Sequence, residues 1–187
     1  PTPYLGESPR RRLDLRHPFI VVDPNKCILC SRCVRTCADV LGVSALGLIG
    51  RGFNTVVAPA MSKPLLEVGC VSCGSCVEAC PTGALTFAGI DSGRFPPTAT
   101  ADTVCGHCGV GCEVTARRHG DAVFVRSRRH ADLTFSDICA RGRFGHTVLS
   151  DAGRLTTPLV RVDGELVPTS YDAAVRAAVW HALARGH

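Results

Sequence analysis

Cys70-Val-Ser-Cys73-Gly-Ser-Cys76-Val-Glu-Ala-Cys80-Pro81 decides the reading of this chain, because Cys27-Ile-Leu-Cys30-Ser-Arg-Cys33-Val-Arg-Thr-Cys37 repeats its spacing upstream. Each run is CxxCxxCxxxC: three thiols share one short loop, and a fourth follows on the next helical turn. A third set, Cys105-Gly-His-Cys108-Gly-Val-Gly-Cys112, is completed by the distant Cys139. The 12 cysteines therefore divide into three sets of four with none left over. This is the spacing of iron–sulfur sites. Three [4Fe–4S] clusters on one chain read most simply as a wire for single electrons.

Two other uses of cysteine compete with this one. Six disulfides would suit an oxidising compartment, but overlapping triplets gather thiolates on one loop, which is what a cluster needs. Zinc takes paired CxxC knuckles in a tetrahedral site, and two overlapping steps that share a middle cysteine fit it poorly. For the third set zinc is a closer rival, with His107 lying between two candidate ligands. Four thiolates already complete a site there, which leaves His107 beside it or simply exposed. The glycines at 106, 109 and 111 let the backbone fold closely round a cluster.

The chain has 187 residues, enough for one or two small domains, with an aromatic content of only 5%. A core that modest calls for reinforcement, so the clusters are expected to be structural as well as functional, and much of residues 19–95 is expected not to fold without them. The formal charge is +5. Three oxidised clusters with their thiolates would contribute roughly −6, so the loaded chain is near neutral. The basic residues then compensate buried anions and do not form a nucleic-acid footprint. No recognition motif accompanies the run Arg126-Ser127-Arg128-Arg129-His130, and Arg10-Arg11-Arg12 reads as a solvated or subunit-facing stretch. No apolar run is long enough to span a membrane, and no signal-peptide pattern is visible. The expected compartment is cytoplasmic. The chain starts at Pro1 and its single methionine is Met61, so a truncated start is expected.

Residues 1–18 are polar, basic and aperiodic, and read as a linker. Phe19–Val22 is a strand leading into the first cysteine loop, Val34–Leu41 a short helix, Thr55–Ala58 a strand, and Ala84–Ala88 a closing strand. The stretches Phe19–Leu41 and Leu66–Phe87 thus form an internal repeat. In the two-cluster ferredoxin pattern the fourth cysteine of each run ligates the other cluster. Cys27, Cys30, Cys33 and Cys80 are accordingly expected at one site, and Cys70, Cys73, Cys76 and Cys37 at the other. The third site is Cys105, Cys108, Cys112 and Cys139. Ser92–Thr98 reads as a linker, Glu113–Arg118 and Ala122–Arg126 as a hairpin, and Leu159–Val162 with Glu165–Val167 as a second hairpin turning on Asp163-Gly164. Thr169-Ser170-Tyr171-Asp172 opens a helix to about Ala184. With nothing large for that helix to pack on, the chain is expected to be the amino-terminal part of something longer.

These residues resemble a known family. His17-Pro18-Phe19-Ile20, Asp23-Pro24-Asn25-Lys26-Cys27, Gly50-Arg51-Gly52-Phe53 and Cys80-Pro81-Thr82-Gly83-Ala84-Leu85 resemble the iron–sulfur region of formate dehydrogenase alpha subunits. Cys108-Gly109-Val110-Gly111-Cys112, Gly142-Arg143-Phe144-Gly145 and Arg154-Leu155-Thr156-Thr157-Pro158-Leu159 resemble the cluster domain of large molybdenum or tungsten bis-pterin oxidoreductases. The resemblance implies an α+β fold, in which a two-cluster ferredoxin-like module precedes a small β-rich 4Fe-4S domain of the bis-pterin enzymes. It implies a basic linker over 1–18, the dicluster domain over 19–95, the third-cluster domain over 96–165 and the start of a molybdopterin-binding domain over 166–187.

In function it implies formate oxidation to carbon dioxide at a molybdenum or tungsten bis-pterin guanine dinucleotide in the full-length protein. Electrons would pass along three [4Fe–4S] clusters to an NAD/flavin diaphorase-type subunit or another redox partner. Arg141, two residues past Cys139, stands where this family usually carries a lysine between cluster and pterin, and is the candidate cofactor-binding residue. His107 stands where an aromatic residue is usual. The metal-binding cysteine or selenocysteine of such enzymes would lie beyond His187, so no catalytic residue is expected in this chain. The alternative is an electron-relay large subunit of an NADH:quinone oxidoreductase (complex I) or hydrogenase-type complex. Complex I subunits usually keep one cluster of the pair, so the full set of eight cysteines favours the formate dehydrogenase reading.

Overall fold

The computed structural model describes residues 9–88, 96–128 and 137–184. The expected linker Ser92–Thr98 lies mostly outside these residues, as do Arg129 and His130. The chain divides into two compact units, 1–146 and 147–187.

In the first unit, β1 (Ile20–Val22) pairs antiparallel with β4 (Leu85–Phe87), with Ile20 opposite Phe87. The β-branched run Ile-Val-Val suits a strand. Its first residue is fully buried and anchors a core with Leu46, Val57, Leu65, Val77 and Leu85. The pairing brings the start of the first cysteine loop beside the end of the second. Two short helices, α1 (Arg32–Arg35) and α2 (Ser75–Ala79), follow the two CxxCxxC loops at equivalent places. A π-helical turn over Thr36–Val40 continues α1 and carries Cys37. Between the halves, β2 (Gly47–Ile49) pairs with β3 (Val56–Ala58). Gly47 is the first residue of β2, and Gly50 follows its end.

The described part of the polar amino-terminal stretch, from residue 9 on, is tied down. Asp14 exchanges two backbone hydrogen bonds with Val22, Arg11 donates its amide to Asn25 Oδ1, and His17 is buried.

The remainder of the unit is a three-stranded antiparallel sheet of β5 (Ala99–Val104), β6 (Glu113–His119) and β7 (Ala122–Ser127). Gly120, at φ +60°, takes the first place of the tight turn between β6 and β7. Helix α3 (Ala140–Phe144) starts directly after Cys139. The fold is α+β, with a ferredoxin-like module followed by a small β-rich domain.

The second unit holds the hairpin β8 (Leu159–Val162) and β9 (Glu165–Pro168), then α4 (Tyr171–Ala184). Asp163 and Gly164 both have positive φ, as the primed turn requires. Ser170 Oγ accepts the Ala173 amide at 3.3 Å and caps α4.

Candidate metal centres

Each of the three expected sets of cysteines lines its own cavity. Cys27, Cys30, Cys33 and Cys80 line the first, with Val22, Val57 and Leu85 as apolar wall. Cys37, Cys70, Cys73 and Cys76 line the second, walled by Ile20, Leu46 and Leu65. Cys105, Cys108, Cys112 and Cys139 line the third. The fourth cysteine of each repeat thus faces the triplet of the other half.

The mutual electrostatics follow the same grouping, with Cys33 of the first set also acting on Cys76 of the second. The Cys33 thiol is pushed up to about 11, first by burial and then by the thiols of Cys80, Cys27 and Cys30. Cys76 is pushed up further, by burial and then by Cys73, Cys70, Cys33 and Cys37. Burial likewise raises Cys70, against the lowering effect of the Ser72 amide and with a further rise from Cys73 and Cys37. Cys80 goes the other way: burial opposes ionisation, but the amides of Leu85, Thr82 and Ala84 and the Thr82 hydroxyl outweigh it. Cys139, near the surface, is lowered chiefly by the Gly142 amide, with smaller help from the amide and charge of Arg141. Packed, desolvated thiols of this kind resist ionising together unless cations sit among them, and cluster iron supplies those cations.

The two cysteine loops share one backbone. Leu29 and Ser72, each two residues past the first cysteine, have φ of 56° and 57°, and each donates its amide to that cysteine's sulfur at 3.4 Å. Ser31 and Gly74, two further on, are also left-handed. The Ala45 amide donates to Cys37 Sγ at 3.3 Å. Amides aimed at sulfur are the surroundings a cluster takes. Tetrahedral zinc would draw four sulfurs to about 2.3 Å from one centre. Among the described residues no three His, Cys, Asp or Glu side chains converge to hold a single ion. Four thiols per cavity with amides aimed at sulfur are a donor set of the kind a cluster takes.

Two contacts that sequence reasoning missed join the second site to the third. Val71, in the second cysteine loop, also lines the third cavity. Arg143, 1% exposed, reaches from α3 into the ferredoxin-like module. Its Nε donates to the Cys73 carbonyl, and its two terminal nitrogens meet Glu78 Oε1 at 2.8 Å and Oε2 at 3.1 Å. Glu78 also accepts from the amide and hydroxyl of Ser127 on β7. The guanidinium lies 5.3 Å from the Phe87 ring centroid, and Phe144 stacks on Phe19 at 4.3 Å. Gly74 is required at this seam, since a Cβ there would come within 2.6 Å of Arg143 Cδ and 2.7 Å of Phe87 Cε1. The sequence shows only a glutamate inside one motif and an arginine inside another. Nothing in it pairs positions 65 apart.

At the third site Cys108 and Cys139 are exposed. The Cys105 amide donates to the Cys112 carbonyl at 2.8 Å and closes the loop. Gly142 packs against Cys105, and Gly145 against the His107 ring. Arg141 is exposed at the cavity rim.

Two family models match the chain. Residues 17–86 match that of the NADH-quinone oxidoreductase subunit 3 ferredoxin-like domain, and residues 98–151 that of the molybdopterin oxidoreductase Fe4S4 domain. The chain is 39% identical to an NADH-quinone oxidoreductase subunit of Rhizobium meliloti, over 84% of this chain and 18% of that one. It is 35% identical to NADH-quinone oxidoreductase subunit 3 of Thermus thermophilus, over 91% of this chain and 22% of that one. It is 28% identical to a Staphylococcus haemolyticus protein provisionally named a formate dehydrogenase, over 84% of this chain and 20% of that one. The chain spans about a fifth of the length of these relatives.

Proposed function

The chain belongs to the iron–sulfur oxidoreductases that join a ferredoxin-like domain of the NADH-quinone oxidoreductase type to a molybdopterin oxidoreductase Fe4S4 domain, and from that premise we propose that it is the electron relay of an NADH-quinone oxidoreductase-type complex. The resemblance implied formate oxidation, and the eight paired cysteines favoured that reading over the relay alternative. The comparisons favour the alternative, since the relatives at 39% and 35% identity carry quinone-reductase names and the formate dehydrogenase name appears at 28%. No helix among the described residues is long and apolar enough to cross a membrane.

The observation that carries this reading is the set of three four-thiol cavities. The second shares Val71 with the third, and Cys33 of the first set acts electrostatically on Cys76 of the second. The proposed ligands are the twelve cysteines as grouped above, one [4Fe–4S] cluster per set. A cluster held there supplies one-electron chemistry at a potential set by charge, hydrogen bonds and exposure. The chain's own part is to aim amides at sulfur, exclude water from the first two sites with Ile20, Val57 and Leu65, and fix the sites relative to one another through Arg143 and Glu78. Arg141, at the third cavity's rim, is the residue proposed to face a pterin if the full-length protein holds one.

The test is anaerobic purification of the complete complex, iron and labile-sulfide analysis of this subunit, and EPR after adding NADH or formate. About twelve irons in this part of the chain and reduction by NADH but not formate are expected. Reduction by formate alone, or fewer than eight irons, overturns the proposal.

A further inference from the structure

The two cysteine loops have the same backbone, yet only the second has a histidine behind it. His17 is 5% exposed, and its Nδ1 accepts the amides of both Phe19 and Ile20 at 3.1 Å. A ring nitrogen that accepts holds no proton, so in the neutral ring the proton sits on Nε2. Nε2 lies 3.1 Å from Ser72 Oγ and 4.0 Å from Cys70 Sγ. Ser72 in turn donates its own amide to Cys70 Sγ. At the equivalent place in the first loop stands Leu29, which makes the same amide–sulfur bond but has no hydroxyl to receive a donor. The first site has its own local device, the Thr82 hydroxyl 3.8 Å from Cys80 Sγ, which comes from the cysteine's own turn.

We propose that His17 is a positioning residue for the second site, whose fixed Nε2–H orients Ser72 and directs a dipole at the Cys70 thiolate, so that the cluster held there is reduced more readily than it would be without it. This rests on reading Cys37, Cys70, Cys73 and Cys76 as a cluster site. Physically, reduction adds negative charge that spreads over the coordinating sulfurs, and a donor dipole aimed at one of them stabilises the reduced state. In this pocket that dipole is costly to replace, because the ring is held by two backbone donors and walled from water. The tie also binds the chain before β1 to the second loop, across 55 residues of sequence.

The experiment is a redox titration of the assembled protein followed by EPR, comparing the wild type with His17→Leu and His17→Gln. Signals are assigned with Cys27→Ser and Cys70→Ser. For His17→Leu, a roughly tenfold fall in the ratio of reduced to oxidised second cluster at fixed potential is expected, equivalent to about 59 mV for one electron. The first and third clusters should stay unchanged. His17→Gln, which returns an N–H at a similar reach, should recover most of the shift. An unchanged second cluster, an equal shift in all three, or a shift that glutamine does not recover overturns the inference. If His17→Leu does not load, Ser72→Ala carries the test, with a fall confined to the second cluster expected and its absence overturning the idea. A wild-type protein with only four or eight irons and no second-site signal would instead overturn the cluster assignment on which this stands.

Discussion

The ferredoxin-like module and the third-site domain hold four-thiol cavities in opposite ways. In the module the thiols are part of the core: Cys33 is 7% exposed and packs with Ile20, Val57 and Phe87. In the third-site domain Cys108 and Cys139 are exposed, and the strands β5 to β7 form a sheet that needs none of the cysteines to close it. The difference shows two ways of building a metal centre. One sets the thiols within an apolar core, and the other hangs them on the edge of a three-stranded sheet.

The largest effect expected from this contrast is on removal of iron. Anaerobic chelation should bring amide exchange of Ile20–Val22 and Leu85–Phe87 to the rate of an unfolded chain, while Val114–Arg118 stay protected. Equal loss in both regions would erase the distinction. Next is the seam between them. Arg143→Met leaves the Glu78 carboxylate buried without its cation, and should cost about 3–5 kcal/mol in a denaturant titration of the loaded protein. A cost below about 1 kcal/mol, the range of an exposed pair, would mean that the ion pair does not hold the regions together. The smallest effect separates two glycines with similar backbones. Gly111, at φ +73°, has open space within 4 Å of where a methyl group would stand, so Gly111→Ala should cost only the left-handed penalty of about 1–2 kcal/mol. Gly74, at φ +76°, faces Arg143 and Phe87, so Gly74→Ala should cost clearly more in the same titration. Equal costs would show that the seam yields freely.

What could be read from the sequence follows the same divide. The cysteine sets, the repeat and the crossed fourth cysteines were legible because metal chemistry imposes spacing directly on the chain. The hairpin of β6 and β7 and the Asp163-Gly164 turn announced themselves through alternation and turn chemistry. Strand β5 did not, since Ala99–Val104 is exposed throughout and carries no apolar face. Strand β2 was hidden by Gly47 and Gly50. The packing of His17 and Asp14 onto the module was missed because a polar, basic segment without periodicity looks like a linker. Its hold comes from individual hydrogen bonds, which composition does not reveal. Glu78 and Arg143 were quoted within motifs without a role, because a buried ion pair is a property of two distant positions at once. The preference for formate chemistry rested on a cysteine count. The relatives at 39% and 35% identity carry quinone-reductase names, whereas the formate dehydrogenase name appears at 28%.

The crossing of Cys37 and Cys80 has a consequence for synthesis. The first cavity draws three walls from residues 27–33 and the fourth from residue 80, so it has no complete form while the ribosome has released only the first half of the repeat. The second cavity is the reverse case: Cys37 is made early and waits for a triplet that is complete only at residue 76. Clusters proposed for this module would therefore find full sets of thiols only late in synthesis, once residues 76 and 80 have emerged, and a pause or truncation before that point would leave the earlier thiols short of their partners.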